Sequence, residues 1–177
     1  MAKRISLREF QVGLVERLTS AARGETSRAL LGVLSGKNYW LLNLSDAGEI
    51  VPLPLLSPVP LTKSWFVGIA NIRGSLYSVV DLSAFMGGEA TQLNADARLL
   101  LVGARHGINS ALLVSKTLGL KNPDALEAFS EAAPDGEIEQ PWVGEHLRDI
   151  QGNPPLTWRM LRIKSLLSHS GFLDIGR

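Results

Sequence analysis

The chain has 177 residues, 45% hydrophobic and 20% charged, enough to bury a core within one compact domain or two small ones sharing an interior. Lys plus Arg total 18 against 17 for Asp plus Glu, so no broad field exists to attract nucleic-acid phosphates or anionic lipid, and both drop away as partners. The absence of cysteine removes disulfides, thiolate nucleophiles and Cys-ligated zinc together, and fits a reducing compartment.

The opening MAKRISLREFQ meets Arg8 and Glu9 before an apolar stretch develops, and no run approaches a bilayer span, so a soluble, cytoplasmic protein without membrane insertion is expected. The Asn43-Leu44-Ser45 sequon carries no weight in that setting. Ser6 with Glu9 forms a capping-box pattern, and Leu7, Phe10, Leu14 and Leu18 repeat at helical spacing, which predicts a helix over 7–22. It reads as an amphipathic helix laid over the domain edge, or as a docking helix for a partner.

From Ala29 the texture changes to short apolar runs broken every six to ten residues by Gly, Asn, Asp or Pro, the pattern of a sandwich or barrel. Strands are expected at 29–35, 39–44, 49–53, 67–72, 75–80, 98–104 and 108–114, with turns at SGKN and RHG where glycine supplies positive φ. VPLPLLSPVPL holds four prolines and reads as an extended surface connector, because proline cannot donate to a sheet ladder. After Leu120 an acidic, turn-rich insertion runs to about residue 140, with a short helix expected near 124–129. Order resumes at 142–147, and a strand at 156–161 leads into a helix at 163–167. VVDLSAFMGG echoes MLRIKSLLSHSG: in each a strand ends, a short helix buries two adjacent apolar residues and glycine follows, which suggests a duplicated barrel.

No catalytic constellation emerges. GVLSGKN has three residues between its glycines where a P-loop needs four, and Asn38 stands where the Mg²⁺-binding Ser or Thr belongs. His106, His146 and His169 lack partners at metal-ligand spacing, and neither a G-x-S-x-G elbow nor a dinucleotide fingerprint is present. Ser110 or His106 would have to anchor any hydrolase site, and Glu145 with Asp149 reads as a solvated edge. Neither cofactor nor metal is expected. Aromatics make up 6% of the chain and Trp40 and Trp65 lie among aliphatics, so core packing explains them better than base stacking.

GIANIRGSLYSVVDLSAFMG resembles the signature of the CheW-like chemotaxis coupling proteins: a strand of small and branched residues, an Asn-aliphatic-Arg-Gly turn and an aliphatic-Asp-Leu exit. SGKNYWLLNLSDAGEIVPLP is similar to the family's opening hairpin and third strand, with Glu49 at its acidic position, and RLLLVGARHGINSALLVSKTLGL to the start of its second barrel. The N-terminal segment and HSGFLDIGR look nearest to the PilI-type branch that serves type IV pilus twitching motility. Ser78 stands where the family often has proline, and Ser115 where it often has Asp.

The resemblance implies a mainly β fold of two small five-stranded SH3-like barrels packed side by side, with an N-terminal helix and a short C-terminal helix. Residues 1–28 would form the helical segment, about 29–90 the first barrel and about 91–177 the second, with the acidic insertion at about 121–140. It implies a non-enzymatic adaptor between the cytoplasmic tip of a methyl-accepting chemoreceptor and the regulatory domain of a CheA-type histidine kinase. The receptor tip would lie in a groove between barrels, touching Val51, Ile69 and Ile72, with Glu49, Arg73 and Gly74 at its rim. Arg73 could fix its turn by bonding Glu49, or reach a partner carboxylate. A small-barrel module for another peptide or single-stranded nucleic acid is the alternative.

Overall fold

The computed structural model describes residues 29–129, 140–150 and 155–177; the helix expected over 7–22, most of the acidic insertion and the Gly152–Asn153 turn lie outside them. Among the described residues, twelve strands form two six-stranded sheets. The first contains β1 (Leu30–Ser35), β2 (Asn38–Asn43), β9 (Lys116–Lys121), β10 (Leu126–Phe129), β11 (Val143–Asp149) and β12 (Thr157–Leu161), in the order β10-β11-β12-β2-β1-β9. The second contains β3 (Ala47–Pro52), β4 (Leu56–Ser57), β5 (Phe66–Ile72), β6 (Ser75–Asp81), β7 (Arg98–Val102) and β8 (Ser110–Val114), in the order β3-β7-β8-β6-β5-β4. Three short helices complete the described parts: α1 (Leu82–Phe85), α2 (Ile163–Ser168) and α3 (Ser170–Leu173).

Read from β4 and from β10, the two orders are the same pattern. In each, an antiparallel pair (β5–β6, β11–β12) leads into a short helix, and the second strand of that pair lies parallel to one strand of a further hairpin (β6 with β8, β12 with β2). The echo between the α1 and α2 junctions is therefore the trace of a repeated unit. In the second sheet the unit runs continuously from β3 to β8; in the first it runs from β9 to α2 and is completed by β1 and β2 from the other end of the described chain.

That arrangement corrects the expected allocation of strands. The chain does not divide near residue 90, because α1 returns it to the sheet it left, so β7 and β8 extend the sheet of β3–β6 while β1 and β2 join β9–β12. The sheets also hold six strands each instead of five, and no ladder closes either into a continuous barrel. Proline shapes the link between β3 and β4: Pro54 cannot donate to a ladder, and β4 is only a two-residue edge strand within the proline connector. The helix expected near 124–129 is a single 3-10 turn, Pro123–Ala125, capped by the Asn122 side chain, after which Leu126–Phe129 pairs with β11. Local start signals for a helix are present, and pairing with β11 overrides them.

Burial follows from the double layer. Along β7 and β8 the alternation falls between two apolar clusters: Leu99, Leu101, Ala111 and Leu113 face the second sheet's own interior, whereas Leu100, Val102, Leu112 and Val114 face the first sheet. A strand covered on both faces needs an unbroken apolar run, and RLLLV and SALLV supply it. The shared central cluster also takes Leu31, Val33, Trp40 and Leu42 from the first sheet, and Leu161, Ile163, Leu166 and Phe172 around the C-terminal helices. A third cluster around Leu30, Leu41 and Trp158 fills the first sheet's interior. Among the described residues no helix is long and apolar enough to cross a membrane.

Candidate docking site

The hairpin β5–β6 turns on Arg73 and Gly74, with Ile72 paired to Ser75. Both turn residues have positive φ, +52° and +86°, the type I′ geometry whose twist matches that of paired strands. Gly74 adopts it without a Cβ penalty; Arg73, as a non-glycine residue, carries strain of about 1 kcal/mol. Two contacts offset it. Asn71 Oδ1 accepts the Gly74 amide at 2.9 Å, and the Arg73 guanidinium forms a two-pronged ion pair with Glu49 on β3, Nη1 to Oε2 at 2.9 Å and Nη2 to Oε1 at 2.7 Å. The arginine at the tip of this apolar block therefore ties its own turn to a neighbouring strand.

The remaining expected site residues fall on two faces. Val51 and Ile72 are half-buried and pack against the second sheet's own interior, as does Tyr77. Ile69 lies on the outer face and packs at the margin of the central cluster. Hairpin register puts Asn71 opposite Leu76 and Ile69 opposite Ser78, so Leu76, 60% exposed, shares the outer face with Ile69. Leu76 was not among the expected contacts. Once the turn is set at Arg73-Gly74, pairing parity assigns it to that face.

Among the described residues the middle of the seam between the sheets is filled by the central cluster, including a ring set in which Trp65, Phe85 and Phe172 meet with centroids 5.1 to 6.3 Å apart. A cleft of about 590 Å³ remains beside it, bounded by Lys37 on the β1–β2 turn and by Ser83, Gly88, Glu89 and Thr91 near α1. The loop along that cleft is held from within. Asp81, buried at the end of β6, accepts the Ser83 and Ala84 amides at 3.0 and 3.3 Å, and the Thr91 amide and hydroxyl at 2.6 and 2.8 Å. One carboxylate thus caps α1 and anchors the following loop. Among the described residues no group of three or more His, Cys, Asp or Glu is placed to hold a metal ion.

Comparisons with known proteins agree with this architecture. The family model described as CheW-like domain matches residues 29–153. Protein PilI of Pseudomonas aeruginosa is 28% identical over 147 residues, covering 82% of this chain and 79% of that protein. The chemotaxis protein CheW of Rhizobium meliloti is 28% identical over 105 residues, 58% of this chain and 62% of that one. The crystal structure of the scaffolding protein TtCheW from Thermoanaerobacter tengcongensis superposes with a TM-score of 0.63 at 18% identity, covering 82% of this chain and 95% of that one. Two sheets built on one repeated plan, the Asn71–Gly74 turn braced by Glu49 and a family match across most of the chain converge: the protein belongs to the CheW-like domain family.

Proposed function

We propose that this chain is the adaptor coupling a methyl-accepting chemoreceptor to a CheA-type histidine kinase, in a chemotaxis-like cytoplasmic pathway that controls type IV pilus twitching motility. The similarity to PilI supports the pilus assignment, and membership of the CheW-like family supports the scaffold role. The observation that carries the site is the outer face of β5–β6, where exposed Leu76 stands beside Ile69 on a hairpin held rigid by the Arg73–Glu49 pair. A preformed apolar face loses little entropy on binding, and it suits the helical tip of a receptor, whose apolar side chains recur on one stripe. Val51 and Ile72 act from beneath by setting the curvature of the sheet, and Glu49, Arg73 and Gly74 fix its rim.

Gel filtration with the cognate kinase regulatory domain, and separately with a receptor-tip fragment, tests the proposal. Co-elution is expected at concentrations on the order of tens of micromolar, the range of transient interfaces. Absence of a complex with either partner at that concentration rejects the adaptor reading. A steeply salt-dependent complex with single-stranded nucleic acid would replace it.

A further inference from the structure

The internal repeat places a second cleft where the first predicts one. The cleft beside Lys37 lies between the β1–β2 turn of one sheet and the α1 region of the other; its counterpart, about 470 Å³, lies between the β7–β8 turn and α2. The architecture is shared, and the chemistry is not. The first cleft is lined by one base, Lys37, and one acid, Glu89, among neutral residues, whereas the second gathers Arg105, His106 and Lys164 around a single acid, Asp46.

Asp46 is committed at the back of that cleft. Its side chain and that of His106 are each 10% exposed, with His106 Nε2 3.0 Å from Asp46 Oδ1, and the same oxygen accepts from the Arg105 guanidinium. A carboxylate only accepts, so the ring carries a proton on Nε2, and the 3.5 Å approach of Arg105 Nε to that atom is not a hydrogen bond. The acid thus orients two donors and neutralises one charge. Arg105 remains half exposed with further N–H groups available, and Lys164, exposed on α2, has no ion pair among the described residues. In a chain of net charge +1, this local excess is a feature of the cleft and not of the surface as a whole.

We infer that this cleft is a second docking site, distinct from the β5–β6 hairpin, which takes a carboxylate-bearing peptide segment of a partner protein. The carboxylates sit against Arg105 and Lys164, and Asp46 with His106 acts as the positioning pair that aims the guanidinium. Ile108, partly exposed at the rim, and Leu167 on the wall supply an apolar edge, so the segment carries an aliphatic residue beside its acids. That edge and the size of the cleft favour a peptide over a lone tetrahedral anion.

The probe is acetyl-Leu-Glu-Glu-Leu-amide, titrated into the isotope-labelled chain and read by amide chemical shifts. Saturable shifts confined to Arg105, Ile108, Lys164 and Leu167 are expected. Lys164→Glu, an exposed position that leaves folding intact, weakens binding about tenfold by turning one attraction into a repulsion. Lys37→Glu in the pseudo-equivalent cleft leaves it unchanged, and the peptide with Gln in place of Glu does not bind. Equal binding of the Gln peptide, equal loss with Lys37→Glu, or an absence of localised shifts overturns the site. Inorganic phosphate moving the same residues as tightly as the peptide reduces it to a plain anion site and overturns the peptide. Because hairpin variants such as Arg73→Ala leave this titration untouched, the adaptor reading and this one fail separately.

Discussion

Arg73 and Glu49 meet across the mouth of the second sheet, although their strands are not neighbours in it. Glu49 lies on the edge strand β3, and β7 and β8 intervene before β6, at whose start the Arg73 turn sits. In a flat sheet those strands would stand about 14 Å apart. The pair closes because the sheet curls until β3 and the β4–β5 edge share one apolar interior, with Val51 and Leu53 packing on the same cluster as Leu56 and Ile72. The ion pair is the polar rim of that curl, and it holds the hairpin whose outer face carries Ile69 and Leu76.

The rim position limits what the pair contributes to stability. With side chains 76% and 40% exposed, it is worth about 0.2–1 kcal/mol. Arg73→Ala and Glu49→Gln should therefore each lower chemical-denaturation stability by less than about 1 kcal/mol and leave the fold intact. Arg73→Gly should be more stable than Arg73→Ala, because glycine accepts the positive φ freely. Receptor-tip binding separates two roles for the arginine. If it acts by bracing the turn, Glu49→Gln weakens binding as much as Arg73→Ala; if it reaches a receptor carboxylate, only the Arg73 variant does.

Asp81 behaves differently because it is 2% exposed and accepts four hydrogen bonds. Asp81→Ala leaves those donors buried without an acceptor and should cost about 2–4 kcal/mol. Asp81→Asn keeps the shape, yet its amide nitrogen must face either the Thr91 amide, which donates to Oδ2, or the α1 amides and the Thr91 hydroxyl, which donate to Oδ1. It too should destabilise, by more than Glu49→Gln. Hydrogen exchange should show the loss first at Thr91 and Ser83. If Asp81→Asn is as stable as the parent, the carboxylate is not what holds the loop.

Local signals made much of this architecture legible. Both type I′ residues, the proline connector, the paired hairpins and the α1 and α2 junctions were readable, because each depends on residues within a few positions of one another. The Arg73–Glu49 tie was one of two readings of a single motif. What escaped depended on distance along the chain. Leu126–Phe129 starts as a helix would and is claimed by β11; β1 and β2 leave their sequence neighbours for β12 and β9; Asp46 meets Arg105 and His106 across some sixty residues. Partnerships of that kind are fixed by sheet order, and a repeat whose last two strands come from the far end of the described chain hides that order from any reading along it.

Gly32 and Trp158 test the interior of the first sheet. A Cβ on Gly32 would come 3.0 and 3.1 Å from Trp158 Cζ3 and Cη2, so Gly32→Ala should destabilise by about 1–3 kcal/mol through overpacking. Among the described residues the buried Trp158 indole N–H has no hydrogen-bond partner. Trp158→Phe therefore relieves an unmet donor while creating a void, and its net cost should be under about 2 kcal/mol. Phenylalanine also removes the ring atoms that the methyl added by Gly32→Ala would strike. The double variant should thus be more stable than the sum of the single effects predicts, a coupling of at least about 0.5 kcal/mol. Strict additivity would show that backbone shifts, and not the indole, absorb the extra methyl.

Phe172 tests whether the two sheets unfold as one. It is buried in the central cluster, 5.4 Å from Phe85 and 6.3 Å from Trp65 between ring centroids, and the segment that carries it is sewn to the proline connector. There Lys63 pairs with Asp174 at 2.9 Å, and Thr62 bridges Gly176. Phe172→Ala should cost about 3–5 kcal/mol, whereas Asp174→Ala, which cuts an exposed ion pair, should cost under about 1 kcal/mol. Since residues of both sheets line this cluster, Phe172→Ala should lower a single transition seen alike by tryptophan fluorescence, whose rings lie in the first sheet and the central cluster, and by far-ultraviolet dichroism, which reports the strands of both sheets. Two separated transitions would mean that each sheet's own interior suffices to hold it, and that the shared core joins two units already folded.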